Sequence, residues 1–301
     1  MEALFIGQSY IDVTFLADQL PTGDEKLVAR DYAVSFGGNA VSAAFACAKL
    51  GVAPDLLCSI ADDWLGHMFL DMAQRYKMTV HGWRTKESSL SFIMPKDGKR
   101  AIIRCRDDHY QHHFPLLDLD GCRALHVDGH LAPAALHYAK ECRQRGILTS
   151  LDGGALRPGL LDLIAYIDVA VVSELLCAQM NLDPAGMLAY LRSRGCRVGA
   201  VTLGEHGIHW YANGSADQHT PALSVPKAEV IDTNGAGDIF HGAYLASWLT
   251  ADEAHREDWR QHFTFARAAS AHSVRHLGIE ASLPSRMDVE EANAIWHEAA
   301  E

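Results

Sequence analysis

An α/β fold built on a mostly parallel sheet is the class this sequence predicts, on three observations. Short apolar runs recur without polar–apolar alternation, as in ALFIG, DLLCSIADD, ALHVDGH, ILTSLDGG, IDVAVVSE and VGAVTLGE, and such runs belong to strands buried on both faces. Helix-like segments separate most of them, the order expected of right-handed crossover units. The composition, 49% hydrophobic and 21% charged over 301 residues with no long apolar span, fits a single domain over residues 1–301 rather than a membrane or disordered chain.

The elements follow in order. MEALFIGQSYID lacks the basic and long apolar regions of a secretory signal and reads as a first strand, so a cytoplasmic protein is expected. Residues 10–36 and 89–107 contain no helical pattern. In the second of these, KDG between two strand-like runs reads as a hairpin turn. These strands are either edges of the main sheet or a small separate sheet acting as a lid. NAVSAAFACAKLG sets Val41, Ala44, Phe45 and Ala48 on one helix face, with Gly51 after its end. PAALHYAKECRQRG and DPAGMLAYLRSRG repeat that scheme, each with basic residues in the last turn and a closing glycine.

A net charge of −12 without any Lys/Arg run excludes nucleic acid and anionic membrane as partners. The cysteines, 7 in number and without a CxxC pair, sit mostly in apolar contexts and read as buried reduced thiols. His109, His112 and His113 have no supporting Cys or second motif and read as a polar loop rather than a metal site. The NGS at 213–215 is discounted as a glycosylation site for want of a secretory signal.

Ligands of open parallel sheets gather at the carboxyl ends of strands, and there the chain carries Asp62 and Asp63, Asp128, Asp152, Ser173 with Glu174, and Gly204. The stretch VIDTNGAGDIFHGA is more specific. A helix beginning near Asp238 exposes unpaired N–H groups and a positive dipole end, and Gly235, Ala236 and Gly237 let an anion come close. No Walker A pattern occurs. A carboxylate in an anion site makes sense when a hydroxyl lies between the two. Asp238 then takes the hydroxyl's proton while the amides stabilise a transferring phosphoryl group. The alternative is a glycine-rich turn with Asp238 as an ordinary helix N-cap.

DTNGAGDIFHGA also resembles the hallmark DTxGAGD segment of the ribokinase, or PfkB-type, family of sugar kinases. FGGNAVSAAFACAKLG is similar to that family's amino-terminal GG motif, IGQSYID to its opening strand, VTLGEHGI to its nucleotide loop and GIEASLP to its carboxyl-terminal closure. The resemblance implies a three-layer α/β/α sandwich with a small β-sheet lid, its strands within about 10–36 and 89–107. It implies an ATP-dependent kinase with Asp238 as catalytic base and Gly235, Ala236 and Gly237 as anion hole. Asp12, Gly37, Gly38 and Asn39 would face a sugar, and Thr202, Gly204 and Gly207 would lie along ATP. Mg²⁺ would bridge phosphates largely through water, and Asp232 with Asn234 matches part of a monovalent-cation (K⁺) site.

The chain departs from the pattern in two places. Ser42 stands where many relatives carry a sugar-binding Asn, and SELL, with Ser173 and Glu174, replaces their NxxE near the Mg²⁺–phosphate site. Lys26, Arg104 and His130, in or near the expected pocket, point together to an acidic group on the substrate. EKLVARDY and LDGG are similar to segments of the sulfofructose-kinase branch, although Arg104 and His130 depart from its pattern. His241 reads as packing behind the base. The expected activity is phosphorylation of a primary hydroxyl of a sugar, ketose or acidic sugar, by a homodimer paired through the lid. The rivals are a nucleoside kinase, with Tyr10, Phe15, Tyr32 and Phe92 as purine-stacking residues, and a non-catalytic sugar sensor.

Overall fold

The structure is a computed structural model and describes residues 1–96 and 99–296. The strands are β1 (Ala3–Gly7), β2 (Tyr10–Leu16), β3 (Asp31–Gly37), β4 (Pro54–Ile60), β5 (Thr79–Arg84), β6 (Leu90–Lys96), β7 (Lys99–Cys105), β8 (Ala124–Val127), β9 (Leu148–Gly153), β10 (Val169–Ser173), β11 (Val198–Thr202), β12 (Ile208–Ala212) and β13 (Gln218–Thr220). The helices are α1 (Asn39–Lys49), α2 (Trp64–Arg75), α3 (Ala132–Arg145), α4 (Leu160–Ile164), α5 (Glu174–Gln179), α6 (Pro184–Ser193), α7 (Ala236–Thr250), α8 (Trp259–Ser273), α9 (Ile279–Ser282) and α10 (Arg286–Ile295).

The 9-stranded sheet runs β13-β12-β11-β10-β9-β8-β1-β4-β5. From β11 to β5 every pairing is parallel, and β12 and β13 close one edge antiparallel. The continuous apolar runs are explained by two cores. Ala3 and Phe5 of β1 face one, with Phe45 of α1, Phe69 of α2, Tyr244 of α7 and Phe263 of α8. Leu4 and Ile6 face the other, with Tyr138 of α3, Leu163 of α4, Leu176 of α5 and Leu188 of α6. The expected three-layer arrangement is therefore present. No helix among the described residues is long and apolar enough to cross a membrane.

The open question about the helix-poor regions is resolved in favour of a separate sheet. Strands β3, β2, β6 and β7 pair with one another in that order, and none of them joins the central sheet. β6 and β7 pair antiparallel, as a hairpin requires; its expected turn at Asp97 and Gly98 falls outside the described residues. The chain passes from β1 into β2 through Gln8 and Ser9 alone, so the second sheet springs directly from the carboxyl end of a central strand.

Register gives that sheet two distinct faces. Ser35 pairs with Asp12, Asp12 with Ser91 and Ser91 with Arg104, a polar row across all its strands. Residues of opposite parity are apolar: Phe15 lies 6.3 Å from Tyr32 and 5.8 Å from Phe92, ring to ring. Of the aromatics considered for purine stacking, only Tyr10 shares the face of Asp12, because side chains alternate along a strand.

Candidate active site

Helix α7 begins at Ala236, earlier than the sequence alone placed it, with left-handed Gly235 (φ 78°) as its N-cap. Asp238 therefore sits inside the first turn and is not the helix N-cap. Among the described residues, the amides of Gly235, Gly237 and Asp238 meet no acceptor, while Ala236 N lies 3.5 Å from Thr233 O. Gly237 is exposed, and a Cβ built there would meet nothing within 4 Å. Protein packing thus gives no reason for glycine in this turn, where it costs a helix about 1 kcal/mol relative to alanine. Close approach of an anion to bare N–H groups does give one.

Asp238 is half-buried. Burial first, and Asp152 next, hold its carboxyl well above the ordinary carboxylate range; Asp128 adds to the rise, while Arg100 and Arg104 oppose it. Such a group exchanges its proton nearer neutrality than a surface aspartate does, which suits general-base work. The loop before it is stapled by Asp232, whose Oδ1 accepts from Asn234 N at 2.9 Å and whose Oδ2 accepts from Gly278 N at 3.3 Å. Burial raises the Asp232 carboxyl as well, against those same two amides.

Across from α7 stands the polar row of the second sheet. Asp12 is 2% exposed and its Oδ1 has no hydrogen-bond partner among the described residues. A buried carboxylate oxygen left bare costs free energy unless a ligand meets it. Burial pushes this carboxyl up, with Ser91 and then Arg104 opposing. The glycines beside it are dictated by space: a Cβ at Gly37 would lie 2.3 Å from the Asp12 carboxylate, and one at Gly38 (φ 108°) 2.0 Å from Gln8 O. Asn39 follows as the first residue of α1 and donates from Nδ2 to Asp152 Oδ2 at 2.8 Å. Ser42, one turn on, is fully buried with its Oγ unpartnered among the described residues.

The expected cations divide. Arg104 Nε donates to Ser91 Oγ at 3.3 Å and its guanidinium stands 4.9 Å from the Tyr10 ring centre, so it belongs to the polar row. His130 donates its amide to Asp128 Oδ1 at 2.9 Å. Its imidazole is held below the usual histidine range, by burial first, with Arg157, Arg106 and Arg104 adding to the effect against Asp128. Of the potentially cationic residues, His130 is thus held toward its neutral form, with Arg157 and with Arg106, itself paired with Asp108 at 2.6 Å, among the charges acting on it. Lys26 is exposed on the segment between β2 and β3 and makes no hydrogen bond or ion pair among the described residues. The structure does not bring it to the row.

The other strand-end groups also divide. Asp63 caps α2 by accepting from Gly66 N at 2.8 Å and holds Ser88, just before β6, through N at 2.8 Å and Oγ at 2.6 Å. Asp62 pairs with His67 at the surface. Ser173 caps α5, accepting from Leu176 N at 3.2 Å and donating to Gly154 O at 2.8 Å, and Glu174 is exposed beside it. Thr202 ends β11 and donates to Val172 O at 3.3 Å. Gly204 (φ 56°) opens the following turn, and a Cβ at Gly207 would meet Thr220 O at 2.2 Å. Of these strand-end groups, Asp152 and Asp128 act electrostatically on Asp238. His109, from the histidine triplet, is exposed and pairs with Asp107 at 2.8 Å. Cys105 is an exposed thiol, unlike the other cysteines, which are buried.

Comparison with known proteins gives the same assignment. The pattern of the pfkB family carbohydrate kinases matches residues 2–286. Mouse ribokinase is 24% identical over 306 aligned residues, spanning 94% of this chain and 92% of its own. An ATP-dependent ribose-1-phosphate kinase of Halopiger xanaduensis is 26% identical, spanning 85% of this chain and 88% of its own. The crystal structure of a putative ribokinase from Agrobacterium tumefaciens superposes with a TM-score of 0.85 at 24% identity, over 97% of this chain and 96% of that one. The chain therefore belongs to the pfkB family of carbohydrate kinases, phosphotransferases with an alcohol as acceptor.

Proposed function

We propose that this kinase transfers the γ-phosphoryl group of ATP to a primary hydroxyl of a sugar or ketose that carries an acidic group. The observation that carries the reading is the first turn of α7, with unbonded amides at Gly235 and Gly237 and a proton-accepting Asp238 within it. The hydroxyl proton passes to Asp238 as the new O–P bond forms and the bond from γ-phosphorus to the bridging oxygen breaks, releasing ADP. The amides of Gly235 and Gly237, with Ala236 between them, hold the equatorial oxygens. Mg²⁺, when bound, neutralises phosphate charge. Among the described residues no group of three or more His, Cys, Asp or Glu side chains could hold a metal ion.

Asp12 and Asn39 take sugar hydroxyls, with Gly37 and Gly38 giving them room. Thr202, Gly204 and Gly207 flank the nucleotide, with Ser173 and Glu174 on its phosphate side. The acidic group of the substrate meets Arg104 and His130, with Arg157 nearby and Arg106 already paired with Asp108. Asp232 and Asn234 are proposed as the protein side of a K⁺ site. Nucleoside substrates fit less well, since Phe15, Tyr32 and Phe92 lie on the face away from Asp12.

The enzyme works in the cytoplasm as a homodimer. The lid sheet presents the edges of β3 and β7, where Tyr32 and Ile103 are 66% and 63% exposed, and pairing such edges between two subunits would bury them. A thermal-shift panel of neutral sugars, nucleosides and anionic sugars tests the substrate class. Stabilisation by anionic sugars alone is expected, with loss of that selectivity in Arg104→Ala; equal stabilisation by neutral sugars contradicts it. Light scattering at micromolar protein should give twice the chain mass, and a monomer would overturn the lid dimer.

A further inference from the structure

Behind Asp238 runs a chain of buried polar groups for which the transfer step above has no use. His126 of β8 and Ser150 of β9 are register partners, with Nδ1 2.9 Å from Oγ. Ser150 Oγ lies 2.5 Å from the Tyr244 hydroxyl, which lies 3.3 Å from His241 Nδ1. His241 Nε2 is 3.5 Å from Asp152 Oδ1, and Asp152 Oδ2 accepts from Asn39. The chain ends at His126 Nε2, buried and without a partner among the described residues.

Burial depresses both histidines, so both imidazoles are neutral. For two neutral rings, one polarity uses every donor. His126 Nδ1–H donates to Ser150, Ser150 to Tyr244, Tyr244 to His241 Nδ1, and His241 Nε2–H to Asp152. The orphan at His126 is then only an acceptor. The reverse polarity buries an unpaired N–H at His126 and sets a ring lone pair against the Asp152 carboxylate, which costs more. With its far end closed, the chain moves no proton to solvent. It fixes His241, and His241 fixes Asp152.

His241 lies three residues after Asp238 on α7, hence on the same helix face one turn further in. Asp152 is thereby held beside the first turn of that helix. The groups facing Asp238 are Asp152 from β9, Asp128 next to β8, and Arg100 and Arg104 from β7. Those facing His241 are Asp152, Asp128, His126 and Tyr244.

We propose that Asp152, clamped between Asn39 and His241, is a positioning residue for Asp238 that holds a second negative charge against the first turn of α7. This rests on Asp238 being the base. The second charge makes Asp238 a stronger proton acceptor than an isolated aspartate, and the clamp keeps that charge from swinging away into the sugar pocket.

The test needs no substrate for its first arm. In protein labelled with ¹³C-aspartate, the Asp238 carboxyl resonance, identified by its loss in Asp238→Asn, is titrated in the parent, Asp152→Asn and Asp152→Glu. The midpoint should fall by ~1 pH unit in Asp152→Asn and stay near the parent's in Asp152→Glu. Should Asp152→Asn not fold, Asp152→Ser removes the same charge and carries the same expectation. In the second arm, with a sugar that the parent phosphorylates, the acid limb of kcat/KM should move with that midpoint while KM changes less than ~2-fold. An unmoved midpoint overturns the proposal, as does a raised KM with an unmoved acid limb, which would make Asp152 a sugar contact. If the parent phosphorylates nothing, the kinase reading fails separately, and the resonance titration still decides the role of Asp152.

Discussion

Helix α7 uses glycine in two ways, and the contrast separates structure from function. In its middle, a Cβ on Gly242 would lie 2.2 Å from Ala43 O and 2.8 Å from Ala46 Cβ, so the close crossing of α7 over α1 alone requires glycine there. At its mouth, a Cβ on Gly237 would meet nothing within 4 Å. One glycine is explained by what packs against it, and the other meets no packing that would require it. The middle of the helix is the fixed support, buried through Ile239, Phe240, Ala243 and Tyr244, that holds the mouth and its Asp238 in place.

The largest effect should come from Gly242→Ala. With backbone rather than a flexible side chain in the way, the helices must separate, at a cost of ~2–3 kcal/mol. Denaturant unfolding should show it, and a variant as stable as the parent would mean that the α1–α7 crossing yields more easily than its geometry indicates. Gly237→Ala should go the other way, stabilising the protein without ligand by ~0.5–1 kcal/mol. The added methyl should also crowd the phosphates and lower turnover on the order of tenfold to a hundredfold. Parental turnover in that variant would remove the functional explanation of this glycine.

Asp238→Asn should have the smallest effect on stability, and a pH-dependent one. The folded protein raises this carboxyl above its ordinary value, burial being the larger cause and Asp152 the next. Its charged form is therefore disfavoured in the fold, and the parent loses stability as pH rises from the ordinary carboxylate range through the folded value. The Asn variant should melt with the parent in acid and on the order of 2 °C above it at alkaline pH. A melting difference that shrinks as pH rises would mean that the fold favours the charged carboxylate.

Much of this was legible from residues. The glycine-rich run marked the mouth of a helix, which begins at Ala236, and the continuous apolar runs located strands buried on both faces. Gly37 and Gly38 were legible as a motif, but the reason for them, the Asp12 carboxylate and Gln8 carbonyl pressed against their backbones, depends on register between β2 and β3. The same register builds the row Ser35–Asp12–Ser91–Arg104 from strands far apart in the chain, which local patterns cannot reveal. Asp63 and Ser173, both at strand ends, also cap the helices that follow, a role that rests on which amide the side chain meets. His241 resembled packing because its partner Asp152 comes from β9; its spacing from Asp238 on one helix was the available signal. Residue type leaves the charge of His130 open, and burial is what lowers its affinity for a proton.

The most direct measurement is phosphoryl transfer from labelled ATP to the anionic sugar that best stabilises the protein, by the parent and by Asp238→Asn side by side, with sugar affinity determined for both. Turnover should fall by ~10²–10⁴-fold in the variant while sugar affinity is retained. A variant that phosphorylates the sugar as fast as the parent would contradict the assignment of Asp238 as the proton acceptor.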